Sequence, residues 1–371
     1  MRAVALIDPG AVERNCRRLL DGLSGGAALC AVVKADGYGH GAISCARAAL
    51  AGGADRLAVA TAAEAVELRA VFPDARLMVL GALDPDELEL ALEADADIAL
   101  WRPGFLELVR ERAGARGTRA RAHVKYDTGM GRLGERDPDA VLALLAATAV
   151  APEVELAGLW THFATADELD SAFFDEQLER FRDLALPVRE RYPNLLLHAA
   201  NSAATLREPA SHLDMVRCGI AIYGLDPFGA DPYEQGLAPA LELHSYVADV
   251  KRFDAGDSAG YGRTWRAPAE TTVGVLPIGY GDGVRRALSN NAEILVGGRR
   301  WPLVGTVSMD NVTIDLGAGT DVEPGAPAVL IGAQGDQRIL AEELAERLGT
   351  INYEITCGIS ARVPREVVGT R

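Results

Sequence analysis

Short apolar, β-branched runs recur along the first 225 residues, at 28–34, 56–60, 76–80, 97–101, 119–126, 156–162, 195–199 and 214–217. Between them the apolar positions are spaced as on amphipathic helices, as in the Ala-rich segment 42–51 and the long segment 169–188. Asp84-Pro85 and Arg102-Pro103 place proline in the first turn of two such helices, where its missing N–H costs nothing. Eight strand-helix units in this span predict a closed (β/α)8 TIM barrel rather than an open doubly wound sheet. A dinucleotide fold is disfavoured too, because "GYGDGV" at 279–284 has Val where the third glycine belongs.

After residue 230 the periodicity changes. "LAPALELHSYVADVKRF" alternates apolar and polar positions, and "TVGVLPIGYGDG", "AEILVGGRRWPLVG", "VTIDLG" and "APAVLIG" are short β runs broken by Gly, Pro and Asp. One helical segment, "LAEELAERLGT", interrupts them. The pattern predicts an α/β chain: an N-terminal barrel over 1–230 and a mostly antiparallel β domain over 231–371.

Composition narrows the function. A chain of 371 residues is too long for one ordinary core, in keeping with two domains. A net charge of -16 argues against nucleic acid, which needs clustered Lys and Arg. No apolar run is long enough to span a bilayer and no basic-then-apolar leader opens the sequence, so the expected compartment is the cytoplasm. Five scattered cysteines and six scattered histidines offer neither CxxC nor HExxH spacing, so no metal site is expected.

Barrel chemistry sits at the C-terminal ends of the strands. Those ends carry Lys34, Trp101, Lys125 with Asp127, His162, Asn201-Ser202 and Arg217. Singly, each has an ordinary explanation as a solvated, salt-bridged or hydrogen-bonded residue. Together they fall on one face. The last two strands lead into "ANSAAT" and "RCGIAIYG", the place where such barrels bind phosphate. Ser202 and the turn opened by Gly219 and Ile220 would face that anion. A lysine opposite a phosphate loop fits pyridoxal phosphate held as a Schiff base, and it equally fits a sugar-phosphate barrel enzyme.

The motif "AVVKADGYGHGA" resembles the cofactor-lysine motif of alanine racemases, which are fold type III pyridoxal phosphate enzymes. "KYDTGMGRLG", "THFATAD", "ANSAAT", "MVRCGIAIYGL", "AGYGRTW", "PIGYGDG", "SMDN", "INYE" and "RVPR" resemble further motifs of that family, in its order and over nearly the whole chain. The resemblance implies that Lys34 bonds the cofactor and serves as one catalytic base. It implies that Tyr38, Ser202, Gly219, Ile220 and Tyr353 hold the phosphate and that Arg217 faces the pyridine nitrogen. Tyr261 matches the second base, supplied by the other subunit of a homodimer. A free phenol ionises near ~10, so this base needs help; His162 backed by Arg217 matches the family's relay. Arg132 and Met309 match residues that hold the substrate carboxylate, and Lys125 a lysine often carbamylated to fix Arg132. Asp167, Tyr280, Arg286 and Ile351 match the entrance corridor, with Asp310 shaping the site from the partner. The chain departs from the family at Trp160, where tyrosine is common, at Thr306, where arginine is frequent, and at Ser308, where cysteine is common.

The implied activity is interconversion of L- and D-alanine for peptidoglycan. The alternatives are a serine or broad-specificity racemase, which differs by little more than a hydroxyl in the pocket, a decarboxylase of the same fold class, and a non-catalytic pyridoxal phosphate-binding protein. The last of these would leave the "AGYG" and "SMDN" segments without a use.

Overall fold

The computed structural model describes residues 1–369, which form two compact units. One comprises Val12–Gly37 and Ala42–Ile222; the other comprises Met1–Ala11, Tyr38–Gly41 and the chain from Tyr223 onward. The N-terminal strand β1 (Ala3–Ile7) lies in the second of these.

The first unit is a closed barrel of eight parallel strands, as the periodicity predicts. Its strands are β2 (Ala28–Val32), β3 (Arg56–Val59), β4 (Arg76–Val79), β5 (Ala96–Leu100), β6 (Ala120–Lys125), β7 (Val154–Trp160), β8 (Leu196–His198) and β9 (Met215–Cys218). The ring closes where Ala28 to Ala31 pair with Met215 to Cys218. Every residue of β3, β5 and β9 is buried, as expected of parallel strands covered on both faces.

Local signals start the helices, at Asp84-Pro85 and Arg102-Pro103 as the sequence predicts and at Thr61 as well. Asp84 caps Pro85–Glu93 in a capping box with Glu87, and Thr61 caps Ala62–Val71 in one with Glu64. Pro103 stands in the first turn of Pro103–Arg116, which ends on the left-handed Gly117. The segments 42–51 and 169–188 appear as helices Ala42–Ala51 and Phe173–Arg191.

Strand ends differ from the periodicity by a residue or two, with a consequence for the site. The run 28–34 ends as a strand at Val32, so Lys34 is carried on the turn beyond it. His162 likewise lies past the end of β7, whereas Lys125 closes β6 and Arg217 is inside β9.

The second unit is built on an antiparallel sheet. Its strand order is Asp249–Phe253, Thr271–Leu276, Val312–Asp315, Arg299–Val304, Glu293–Val296, Pro327–Gln334, Leu241–Tyr246, β1 and Arg365–Val367. Only the last pairing is parallel. Gly297 and Gly298, at φ 61° and 74°, make the two-residue turn of the hairpin Glu293–Val296/Arg299–Val304, where both turn positions demand positive φ. Among the described residues no helix is long and apolar enough to cross a membrane.

Candidate active site

The turn that carries Lys34 is built from an unusual backbone. After Val33 donates to the Ala58 carbonyl at 2.8 Å, residues Ala35, Asp36 and Gly37 all take left-handed angles, at φ 53°, 51° and 62°. Left-handed geometry costs a side chain-bearing residue ~1–2 kcal/mol, so two non-glycine residues in succession need support. Two carboxylates supply it. Glu64 accepts from the Ala35 N–H at 2.6 Å with one oxygen and from the Ala60 and Thr61 N–H groups at 2.9 and 3.1 Å with the other. Asp36 accepts from the Ala42 N–H at 2.8 Å, closing the turn on the next helix. The glycine-rich sequence therefore hides a turn whose bend rests on Ala35, Asp36 and Glu64. Lys34 emerges from it half-buried.

Around Lys34 the barrel mouth gathers positive charge. Lys125 is buried, with its ammonium 4.2 Å from the centre of the Trp160 ring. Burial, with the nearby charges of Arg217, Arg132 and Lys34, pulls its pKa down to about 7, against an opposing pull from Asp127. Burial and the same cations, with Lys125 itself, hold His162 neutral, well below the usual imidazole range. Asp127 is otherwise engaged: its carboxylate accepts from the Gly129 and Gly131 N–H groups and shapes the loop that carries the exposed Arg132. No hydrogen bond joins Lys125 to Arg132 among the described residues; as two cations they repel.

Arg217 is buried at 3% exposure and tightly held. Its Nη2 donates to the Thr161 and Ala199 carbonyls at 2.7 and 2.9 Å and lies 3.3 Å from His162 Nδ1. Its Nη1 lies 2.8 Å from His198 Nδ1, and its plane sits 4.8 Å from the Trp160 ring centre. Trp160, the departure noted in the sequence, is thus a platform under both Lys125 and Arg217. It stacks on His198 at 5.6 Å and an 8° interplanar angle, and its indole N–H is buried with no hydrogen-bond partner among the described residues.

Ser202, buried at the start of helix Ser202–Arg207, accepts from the Gly219 and Ala221 N–H groups at 3.1 and 3.3 Å. This ties the loop after β8 to the short 3-10 turn Ile220–Tyr223 after β9. Asp167 is exposed further along the loop after β7.

The second unit holds the remaining predicted residues. Tyr38 is buried, its ring 5.1 Å from that of Tyr223 and 6.0 Å from that of Tyr353. Tyr261 is 73% exposed, on a turn fixed by Thr306, whose hydroxyl donates to the Tyr261 carbonyl at 2.8 Å. The threonine found in place of a frequent arginine therefore sets the backbone of this tyrosine. Tyr280 and Met309 are also exposed and share a backbone: the Tyr280 N–H donates to the Ser308 carbonyl and the Gly281 N–H to that of Met309. Arg286 and Ile351 are exposed, and Asp310 pairs with Arg362 at 2.6 Å.

Sequence reasoning missed Glu64, His198, His123 and Asp97. For His123 a signal existed. Arg121, His123 and Lys125 alternate along β6, a period-two polar row on a strand expected to be wholly buried.

Comparison with known proteins identifies the family. Residues 7–227 match the family described as alanine racemase, N-terminal domain, and residues 240–367 match alanine racemase, C-terminal domain. The alanine racemase of Symbiobacterium thermophilum is 44% identical over 363 residues, 97% of this chain and 96% of that protein. Alanine racemase 1 of Bacillus subtilis is 40% identical, over 97% and 92% of the two chains. The structure of alanine racemase from Streptomyces coelicolor superposes with a TM-score of 0.93 at 41% identity, covering 99% of this chain and 98% of that one. The Bacillus anthracis alanine racemase with bound L-Ala-P gives 0.88 at 38% identity, covering 99% and 95%. With both family domains matched in order and relatives aligned nearly end to end, the chain belongs to the alanine racemase family.

Proposed function

We propose that this chain is an alanine racemase that interconverts L- and D-alanine with bound pyridoxal phosphate, acting as a homodimer and supplying D-alanine for peptidoglycan in the cytoplasm. The observation that carries this reading is the cation cluster at the barrel mouth. In a chain of net charge -16, Lys34, Lys125, Arg132 and Arg217 lie close enough to depress His162 together. Such a cluster calls for anions, and a cofactor phosphate with a substrate carboxylate supplies them.

The residues present fit pyridoxal phosphate. Arg217 has spent Nη2 on carbonyls and one Nη1 hydrogen on His198, which leaves its Nε–H and second Nη1–H for a ligand. The buried Trp160 N–H also waits for an acceptor. Lys34 would bond the cofactor, Tyr38, Ser202, Gly219, Ile220 and Tyr353 would hold its phosphate, and Arg217 would face its ring nitrogen. The cofactor, when bound, withdraws electrons from the substrate Cα and makes its proton acidic.

The protein's part is to move that proton between faces. The Lys34 amine takes or returns it on one face, and the Tyr261 phenol of a second copy does so on the other. His162, kept neutral by its cationic surroundings, can accept a hydrogen bond and assist the phenol. Arg132 and Met309 hold the substrate carboxylate, and a carbamate on Lys125 would pair with Arg132. Asp167, Tyr280, Arg286 and Ile351, with Asp310, would line the approach.

The test is a racemisation assay of the pyridoxal phosphate-loaded protein with L-alanine and L-serine, following each D-enantiomer. D-alanine formation that disappears in Lys34→Ala is expected. Faster formation of D-serine would reassign the substrate, and no racemisation of either would overturn the reading.

A further inference from the structure

Below Arg217 the barrel interior is filled by a polar column where branched apolar side chains are usual. His198 Nε2 lies 2.9 Å from His123 Nδ1, and His123 Nε2 lies 3.1 Å from Asp97 Oδ2. His123 and His198 are fully buried and Asp97 is 5% exposed. Asp97 is anchored in turn by Arg56, at 3.0 Å, and by Arg121. It lies, with His123, on a cavity of about 590 Å³ at the opposite, N-terminal end of the strands. The fold makes room for this column at a cost. The β6–β7 register shifts between Ala122 and His123, and a Cβ on Gly158 would fall 2.2 Å from His123 Nδ1.

We propose that Asp97, His123 and His198 are positioning residues: a relay that sets hydrogen-bond polarity from the base of the barrel and presents Arg217 as a donor toward the cofactor ring. The inference rests on the pyridoxal phosphate reading above.

The polarity follows from donors and acceptors. Each Asp97 oxygen already accepts from a guanidinium, Oδ2 from Arg56 at 3.0 Å and Oδ1 from Arg121, and this pairing keeps the carboxyl ionised. Asp97 is therefore an acceptor only, and His123 must carry its hydrogen on Nε2. Neutral His123 then presents a bare Nδ1, so His198 carries its hydrogen on Nε2 and donates. His198 Nδ1 is left bare and accepts from Arg217 Nη1. The reverse arrangement fails. A doubly protonated His123 would donate to His198 Nε2, move the His198 hydrogen to Nδ1 and set it against the Arg217 N–H at 2.8 Å. Because a guanidinium does not release its proton, the column orients Arg217 and conducts nothing.

The experiment is long-range 1H–15N NMR of the pyridoxal phosphate-loaded protein labelled at histidine, six residues in all. Both His123 and His198 are expected as neutral Nε2–H tautomers. An Nδ1–H tautomer or an imidazolium at either position overturns the relay. As a second measurement, His123→Phe keeps an aromatic ring and interrupts the column. It is expected to weaken cofactor binding about tenfold, the scale on which partners behind a ligating residue act, to shift the visible cofactor band, and to lower kcat more than KM. An unchanged cofactor affinity and spectrum in a folded variant would overturn the proposal. Should His123→Phe fail to fold, the wild-type tautomers decide alone. Wild-type protein that takes up no pyridoxal phosphate would overturn the functional reading, whereas bound cofactor with the wrong tautomers overturns only the relay.

Discussion

Lys125 illustrates how a buried amine becomes reactive. The folded chain releases its proton at about 7, against 10.5 for an unperturbed lysine. Between those values the unfolded chain binds more protons than the folded one, so stability rises with pH across this window. Below pH 7 the burial penalty is fully present. Above 7 the uncharged nitrogen can attack CO2: the N–C bond forms, one N–H proton leaves to solvent, and the resulting anion sits among Lys34, Arg132 and Arg217. 13C-bicarbonate is therefore expected to give a carbamate carbon signal that grows with pH and is absent in Lys125→Met. In carbonate-free buffer the same substitution removes a poorly solvated charge and should stabilise the fold at pH 7 by about 1–3 kcal/mol. Denaturant titration should show that gain shrinking steadily toward pH 10. A loss of stability at pH 7 would mean that the ammonium is better satisfied than its cationic neighbours allow.

At the scale of the element, Glu64 is to the Lys34 turn what a cap is to a helix. One carboxylate receives three backbone N–H groups, from Ala35, Ala60 and Thr61. Glu64→Gln keeps the shape but offers a single neutral acceptor, and hydrogen bonds to a charged group are worth roughly 1.5–3 kcal/mol each. The turn should then relax from its left-handed angles and carry Lys34 off line. The expected result is a kcat lowered on the order of tenfold, as small misplacements of reacting groups cost, with KM little changed. Equal kcat in a folded Glu64→Gln enzyme would show that the turn stands without it. The same elements explain what the sequence could and could not disclose. Parallel strands buried on both faces leave continuous apolar runs, so the eight barrel strands and the polar residues at their ends were legible. Lys125 closes its strand, Lys34, His162 and Ser202 follow theirs within a few residues, and Arg217 stands one residue inside the end of β9. The strand β1 was not, because its partners at 241–245 lie more than two hundred residues away and its five-residue pattern is too short to announce them. The left-handed angles at Ala35 and Asp36 left no trace either. Alanine disfavours them, aspartate adopts them only as a single residue, and the group that holds Ala35 stands 29 residues downstream. The polar column inside the barrel lay between these cases: its residues are visible as alternation along β6, but only closure of the ring brings His198 and Asp97 to either side of His123.

On the scale of the whole molecule, the second unit leaves Tyr261, Met309 and Ile351 exposed at 73%, 51% and 57%, a surplus of large apolar side chains on the surface. An exposed tyrosine is not a shielded base by itself, and on the proposed homodimer reading a second copy of the chain would supply the barrel it completes. Two-fold symmetry turns this into a quantitative expectation. If each site takes Lys34 from one chain and Tyr261 from the other, a mixed dimer of Lys34→Ala and Tyr261→Phe has one doubly damaged site and one intact site. Random exchange of equal amounts makes half of the dimers mixed, so two nearly inactive preparations should recover about a quarter of wild-type activity. Recovery should follow the kinetics of subunit exchange, which native mass spectrometry of differently tagged chains can follow in parallel. Mixed dimers that form and stay inactive would place both bases of each site in one chain, and Tyr261 would then have to reach Lys34 of its own barrel.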